Sequence, residues 1–392
     1  MGLFRRRRST DSESAVAVEE FWAHWADVRT DLAASLDAGT PVPEDAAHRL
    51  TERVRRIHPA LSWEVSRAPQ SALRGLEDLR LDDDTRELLA RMDDLDAPPA
   101  RSAPPAQEPE YALVLSAGAD DSARVLAERW RRSAPQEDAW RFLPARPADH
   151  DRLAKPVNWE GDELDLAHAT VALRVNQKLG KIEVSVYHPD FMFLSEEARS
   201  GVADLVVMLA LGEDDVVRWI GSVTPLVEKP LDPLPPTSMP SVVQQLSGTL
   251  GGGGWVTLQG RIPLRGTIQI SVRHPLHRRD FPAFTLYVQV TVAYAEADAD
   301  RLPTGASATA LESFTLGLRD LLGEDGALLA QQTVGGQRQY HFYLDPDSGV
   351  YATLEKAVRG WTEGRTQIHS LLDPGWETID QISRPVRRQL GH

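Results

Sequence analysis

Two histidines and an aspartate are the clearest candidates for metal chemistry in this sequence. His274 and His277 stand three residues apart, and Asp280 follows them. Two imidazoles and a carboxylate are ligands that zinc and iron accept. Pro275, however, interrupts the helix that would align the imidazoles, and the arginines at 278–279 would repel a cation. We therefore predict solvated histidines in a loop at a strand end and no metal site, with metal binding as the alternative.

A second pair of histidines lies further along the chain. His341 and His369 fall on two predicted strands, so their imidazoles would meet if those strands were neighbours in one sheet. Ser370 follows His369 directly and would face the opposite side of the sheet. Because the sequence also lacks a Gly-x-Ser-x-Gly elbow, no hydrolase triad is predicted. We predict cross-strand packing for this pair, keep both histidines as candidate binding residues, and assign no catalytic residue.

Tryptophan is the remaining residue type that suggests a contact surface, with ten copies in 392 residues. Trp219, Trp255, Trp361 and Trp376 adjoin predicted turns or the ends of predicted elements. Tryptophan is enriched at binding hot spots, so the last three of these are candidate binding residues. The other tryptophans are expected in the core, where their large apolar rings are buried.

Two further segments are better explained as connections than as cofactor sites. The glycine run at 251–254 lacks the Gly-Lys-Ser/Thr ending of a phosphate-binding loop. The acidic run at 213–215 offers carboxylates of the kind that Mg²⁺ accepts, but the sequence shows no further ligands for that ion. We predict a turn at the first segment, a helix-to-strand connection at the second, and no cofactor.

Composition limits the compartment and the partners. The chain has no cysteine, which rules out disulfides, thiolate metal ligands and a thiol nucleophile, and which fits a cytoplasmic location. Its formal net charge of −15 disfavours general nucleic-acid binding. No stretch approaches the ~20 apolar residues of a transmembrane helix, so no transmembrane segment is predicted.

The order of apolar patterns predicts an α+β protein of two domains. A Pro- and Gly-rich stretch marks the boundary between them, because these residues interrupt regular structure. The predicted parts are a disordered basic tip at 1–13, an N-terminal α+β domain at 14–228 with a flexible insertion near 93–110, a Pro/Gly-rich linker at 229–256, a C-terminal domain at 257–384 and a basic tail at 385–392.

The C-terminal domain has the most regular pattern. Its elements follow the order β-α-β-β-α-β with one extra N-terminal strand, which is typical of a ferredoxin-like fold. Gly335 and Gly336 suit the positive φ angles of a tight hairpin turn. The predicted elements are strands at 267–272 and 284–294, a helix at 308–322, strands at 327–333 and 337–344, a helix at 349–359, a strand at 367–371 and a closing helix at 376–382.

Three of these segments carry a family resemblance. Leu311–Leu322, the hairpin that leads into Gln339–Tyr343, and Asp373–Trp376 resemble a bacterial family known as domain of unknown function 695. More loosely, such domains are similar to the B-type regulators that inhibit ribonuclease E. The resemblance implies a ferredoxin-like fold and a regulatory role, and it transfers no catalytic residue.

We therefore predict a cytoplasmic, non-enzymatic protein-binding or regulatory module that presents a face or an edge of its C-terminal sheet to a protein partner. One alternative is a metal-assisted hydrolase that uses His274 and His277. The other is an immunity-type protein that neutralises a toxin, for which an acidic composition is common. The oligomeric state is left open.

Overall fold

The computed structural model describes residues 2–68, 109–176, 179–249 and 254–390. Its contacts divide the chain into two compact units, the first made of Met1–Ser116 and Trp130–Pro144 and the second of Ala117–Arg129 and Ala145–His392. Helices and sheets are mixed, which confirms the predicted α+β class. The predicted domain limits, with a linker at 229–256, stay a prediction.

The first unit combines helices with a three-stranded sheet and an aromatic core. Its elements are α1 (Gly2–Ala38), α2 (Glu44–Ile57), β1 (Ser62–Arg67), β2 (Tyr111–Ser116) and β3 (Trp140–Leu143), and α3 (Asp121–Arg132) ends in this unit. Strand β2 is antiparallel to β1 and parallel to β3. The indole of Trp22 stacks on that of Trp130 with ring centroids 5.0 Å apart. Phe21 and Trp25 are almost fully buried on the same helix, so the helical spacing of these aromatics serves packing.

Helix α1 is longer than the sequence predicts. Helix α1 begins at Gly2, whereas a disordered tip was expected at 1–13 and a helix start near Ser14. The flexible insertion expected near 93–110 lies outside the described residues except for positions 109 and 110.

The first half of the second unit surrounds a small mixed sheet. Its elements are α4 (His150–Leu153), β4 (Pro156–Trp159), β5 (Asp162–Asp165), β6 (Thr170–Asn176), β7 (Lys181–Tyr187), α5 (Glu196–Leu211), α6 (Glu213–Trp219), β8 (Ile220–Leu226) and α7 (Met239–Thr249). The Ser195 hydroxyl caps the start of helix α5 by accepting the Ala198 N–H at 3.1 Å. The helix ends before Gly212, whose φ of 78° is unfavourable for residues with a side chain. Helix α7 lies in the segment expected to be a linker, yet it buries Met239 and Leu246 in this core.

The second half of this unit is built on a six-stranded antiparallel sheet in the order β14-β11-β13-β12-β10-β9. Its elements are β9 (Gly254–Ile262), β10 (Gly266–His274), β11 (Leu286–Ala293), α8 (Gly305–Leu322), β12 (Gly326–Val334), β13 (Gln337–Leu344), α9 (Val350–Arg359), β14 (Thr366–Leu372) and α10 (Glu377–Leu390). The hairpin between β12 and β13 turns at Gly335 and Gly336, with φ angles of 64° and 83°.

Both faces of this sheet are covered. Helices α8 and α9 pack on one face and α10 packs on the other, because alternate residues of each strand point to opposite sides. The expected single extra strand is in fact two, since β9 precedes β10. Helix α10 also extends to Leu390, through most of the segment expected to be a basic tail.

Candidate functional site

A concave pocket of about 420 Å³ lies beside the end of β10 and helix α10. Small-molecule sites usually have volumes of about 300–1,000 Å³, so this one is large enough for a ligand. We call it the β10–α10 pocket. Basic, acidic and apolar side chains form its walls, among them Asp121, Val272, Arg273, His274, Leu276, His277, Arg278, Trp376, Ile379, Asp380, Ser383, Val386 and Arg387.

Asp373 and Trp376 fix the start of α10 at the edge of this pocket. The Asp373 carboxylate accepts two backbone N–H groups of the first turn of α10 at 2.9 and 3.0 Å, and the Tyr343 hydroxyl at 2.7 Å. Burial alone would raise the pKa of Asp373, but these donors hold it below its usual value. The Trp376 indole N–H donates to the Phe284 carbonyl at 2.8 Å, so the ring is held beneath the pocket.

Arg278 is the most unusual group in the wall. Its guanidinium donates to the carbonyls of Phe281, Pro282 (3.1 Å) and Pro374 (3.2 Å), and it lies 4.9 Å from the centre of the Trp376 ring. Across the described ranges of the chain, no carboxylate lies within ion-pair distance of it. Burial lowers the pKa of Arg278 to about 10. The pocket therefore holds a partly desolvated cation that makes no direct ion pair with a carboxylate of the described residues.

Two other arginines of the wall differ in whether a carboxylate pairs with their positive charge. Arg387 forms a 2.6 Å ion pair with Asp380 on the same helix. Arg273 instead lies over the Phe281 ring at 5.0 Å, and no carboxylate pairs with it in the described part of the chain. The Ser383 hydroxyl donates to the Asp380 carbonyl at 3.1 Å.

The predicted metal candidates are not assembled into one site. His274 and His277 both line the pocket, but Asp280 forms a 3.0 Å ion pair with Arg218. Residues 2–68, 109–176, 179–249 and 254–390 contain no group of three or more histidines and carboxylates placed to hold a metal ion. The metal-binding alternative stays an untested prediction.

His277 has a strongly altered environment. Its imidazole packs edge-on against the Trp219 indole, with ring centroids 5.2 Å apart. Burial, and then the positive charges of Lys181 and Arg218, lower the pKa of His277 to about 4. His277 is therefore a neutral imidazole in the pocket wall near neutral pH.

The loop that carries these residues is also anchored through Arg279, which does not itself line the pocket. This side chain is 3% exposed, and its guanidinium donates to Asp121 at 2.8 Å, to Asp214 at 2.9 Å and to the Gly118 carbonyl at 2.6 Å. A buried guanidinium is stable only when its donors are satisfied in this way.

Asp214 extends this contact into a network. It also pairs with Arg124 at 3.0 Å, and Arg124 pairs with Glu128 at 3.1 Å. Burial would raise the pKa of Asp214, but the two guanidinium groups hold it below its usual value. Glu213, fully buried, accepts the Ala117 N–H at 2.8 Å. The acidic run at 213–215 thus joins the start of α6 to α3 and to the loop after β10.

The three candidate tryptophans lie in three different places. Only Trp376 lines the β10–α10 pocket. Trp361 packs against Phe314 at 4.9 Å and donates to the Ala293 carbonyl at 2.7 Å. Trp255 borders a second cavity of about 580 Å³ near the end of α8, and Arg273 lines both this cavity and the β10–α10 pocket.

The second pair of histidines lies on one face of the sheet but is not in contact. Strand β11 separates β13 from β14, and Gln289 is the cross-strand partner of both His341 and His369. His341 is 3% exposed and shares a 2.7 Å hydrogen bond with the Tyr287 hydroxyl, and burial lowers its pKa to about 4. His369 is exposed.

Sequence reasoning missed the arginines of this site. From the sequence, Arg278 and Arg279 were considered only because their positive charges would repel a metal ion. The visible signal was a pair of basic residues in an otherwise acidic chain, directly after a predicted strand.

The comparisons with known proteins bear on the C-terminal part of the chain alone. Residues 267–382 match the model of a family of unknown function (DUF695), which confirms the resemblance predicted for this segment. The match includes β10, the loop after it and the start of α10, and thus most of the pocket wall. No curated protein and no solved structure gives a significant match. Of the helices that the structure describes, none is both long and apolar enough to cross a membrane.

Proposed function

We propose that this chain is a non-enzymatic regulatory binding protein and that the β10–α10 pocket is its ligand site. One observation carries the proposal: the wall of a pocket of about 420 Å³ contains the partly buried Arg278, which has no carboxylate partner among the described residues. A binding site typically has this form, a concave apolar surface with a few polar groups left for the ligand.

The polar groups of the wall support binding better than catalysis. A nucleophilic serine needs a base within hydrogen-bond reach. The Ser383 hydroxyl donates to a backbone carbonyl, that of Asp380. The half-buried imidazole of His277, also in the wall, packs against Trp219.

The connections of the loop support a regulatory role. His277 and Arg278 belong to the pocket wall, whereas the next two residues, Arg279 and Asp280, form ion pairs with α3 and α6. A ligand that moves the loop would therefore act on these ion pairs, and packed ion pairs favour discrete arrangements over gradual deformation.

The proposal also includes the fold of the C-terminal domain, the cellular location and the kind of partner. We propose a ferredoxin-like domain at 257–384, supported by four strands whose sheet order is 4-1-3-2 when β11, β12, β13 and β14 are numbered in chain order. We also propose a cytoplasmic protein with a protein partner, for which the loose similarity to the ribonuclease E regulators is the model.

Retention of a ligand tests the proposal. The full chain is purified by affinity from cells, and its denatured extract is compared by mass spectrometry with that of Ser383→Trp, which fills the pocket, and of Gln381→Trp, a control on the exposed side of the same helix. We expect a small molecule in the wild-type and Gln381→Trp extracts and its loss from Ser383→Trp. Thermal unfolding shows whether both variants are folded, and Arg387→Trp is a second way to block the pocket.

Two results would overturn the proposal. One is that all folded variants yield the same extract. The other is that the retained compound, added in excess, is converted to a product by the wild-type chain, since this would make the chain an enzyme.

A further inference from the structure

We infer that the ligand of the β10–α10 pocket carries an anionic oxygen group, a carboxylate or a phosphate, attached to an apolar body. This inference rests on the proposed function, because it assumes that the pocket is the ligand site. It goes further by naming the chemistry that the pocket selects.

The charge of the wall is opposite to that of the protein. The chain has a formal net charge of −15, yet two arginines of the wall, Arg273 and Arg278, have no carboxylate partner in the described ranges. The acidic groups of the wall are already engaged, since Asp380 pairs with Arg387 and Asp121 pairs with Arg279. The pocket is thus a local positive site on an acidic molecule, which attracts anions by long-range electrostatics.

The hydrogen bonds of Arg278 also indicate an anionic ligand. A guanidinium has five N–H donors in a planar fork. Three of these donors have a carbonyl acceptor. The Nε–H of Arg278 donates to Pro374, one terminal nitrogen donates to Phe281, and the other donates to Pro282. One N–H on each terminal nitrogen therefore remains without a protein acceptor in the described part of the chain. Two such donors match the paired oxygens of a carboxylate or a phosphate.

The rest of the wall is suited to an apolar body. Leu276, Ile379 and Val386 line the pocket, and the Trp376 ring lies beneath Arg278. A ligand that places its anionic group at Arg278 would bury its remaining atoms against these side chains, where removal of apolar surface from water is favourable.

Three small aromatic probes test the inference on the full chain. Benzoate supplies a carboxylate, phenyl phosphate supplies a phosphate, and benzamide is a neutral analogue of similar shape. Titration calorimetry should give at least one anion a Kd about tenfold or more below that of benzamide, which corresponds to one charge-assisted hydrogen bond. The order of benzoate and phenyl phosphate identifies which oxygen group the pocket prefers.

Charge-neutralising variants test whether the two arginines carry this preference. Arg278→Gln and Arg273→Gln should each weaken binding of the preferred anion by about tenfold. Arg388→Gln removes the same charge from an exposed position of α10 outside the wall and should leave the Kd unchanged. If Arg278→Gln does not fold, Arg273→Gln decides the test.

Several outcomes would overturn the inference. Equal affinity for benzamide and the anions, no binding of either anion at millimolar concentration, or an equal loss in Arg388→Gln would each contradict it. A neutral compound in the extract of the purified chain would also contradict it while leaving the binding function intact. An extract without any pocket-dependent compound, combined with tight binding of an anion probe, would confirm the anion preference of the pocket and contradict the proposed function.

Discussion

The two faces of the six-stranded sheet are covered by different kinds of side chain. On the face beneath α8 and α9, the buried residues of the strands and helices are almost all aliphatic or aromatic. They include Val288, Val290, Val292, Leu311, Leu318, Phe342, Leu344, Leu354 and Val358. Burial of such side chains stabilises the fold by an amount that grows with the apolar area removed from water.

Both faces bury tyrosine hydroxyls, and the face beneath α10 also buries a histidine and an aspartate. Tyr287 is hydrogen-bonded to His341, and Tyr343 is hydrogen-bonded to Asp373. The β10–α10 pocket opens on the same side. We therefore attribute most of the stability to the first face, and under the proposed function the second face positions polar groups for ligand binding.

The largest expected effect is on the apolar face, where Leu311→Ala should lower the free energy of unfolding by about 2–5 kcal/mol. Leu311 is fully buried, whereas Leu316 on the same helix is 54% exposed. Leu316→Ala is thus a matched control with an expected loss below about 1 kcal/mol. Urea unfolding of both variants measures the difference. Similar losses at the two positions would mean that this face is not the main source of stability.

On the polar face, the largest expected effect is a pH dependence due to His341. Burial lowers the pKa of its imidazole from the ordinary value of 6.5 to about 4, so the unfolded chain binds a proton more readily than the folded chain does. The free energy of unfolding should therefore fall as the pH drops from 6.5 to 4, by at most about 3 kcal/mol for this group. Below that range His341 adds no further slope.

A variant separates His341 from other groups. His277 has a similarly lowered pKa and titrates over the same range, so the wild-type profile alone does not assign the effect. Urea unfolding of His341→Gln across this pH range should show a shallower decline than the wild type. Parallel profiles for the two chains would show that His341 is not held neutral by burial.

The difference between the faces also explains what the sequence could predict. Leu311 and Leu318 repeat at helical spacing, and Tyr340 and Phe342 alternate along a strand, so the elements of the apolar face follow from local pattern. Strand β9 was missed because it begins at the last of the glycines that suggested a linker. The closing helix was predicted to end at 382, whereas α10 continues through Pro385 to Leu390.

The site was less predictable because its groups are distant in sequence. The contacts of Arg279 with Asp121 and Asp214 span 158 and 65 positions. The open donors of Arg278 depend on where three carbonyl groups lie, and no residue spacing encodes that. Sequence identified the two histidines of the pocket wall, but the arginines that distinguish it required the tertiary structure.

A smaller effect is expected at the hydrogen bond between Tyr343 and Asp373. Tyr343→Phe removes the donor and leaves a buried carboxylate oxygen with one partner fewer, which should cost about 1–3 kcal/mol. Tyr351 lies on α9, on the apolar face. Its hydroxyl accepts a long, weak hydrogen bond of 3.5 Å from the Ser370 hydroxyl. Tyr351→Phe should therefore change stability by less than about 0.5 kcal/mol. Thermal unfolding of the pair compares the two faces, and equal losses would remove the distinction between them.

The smallest expected effect is at His369, on the open part of the polar face. His369 is exposed, and β11 separates its strand from that of His341, so their backbones lie about two strand spacings, or ~10 Å, apart. His369→Ala should therefore change the free energy of unfolding by less than about 0.5 kcal/mol. Urea unfolding of His369→Ala, His341→Gln and the double variant measures both the single effect and the coupling. A coupling above about 0.5 kcal/mol would show that the two imidazoles act as a unit through Gln289.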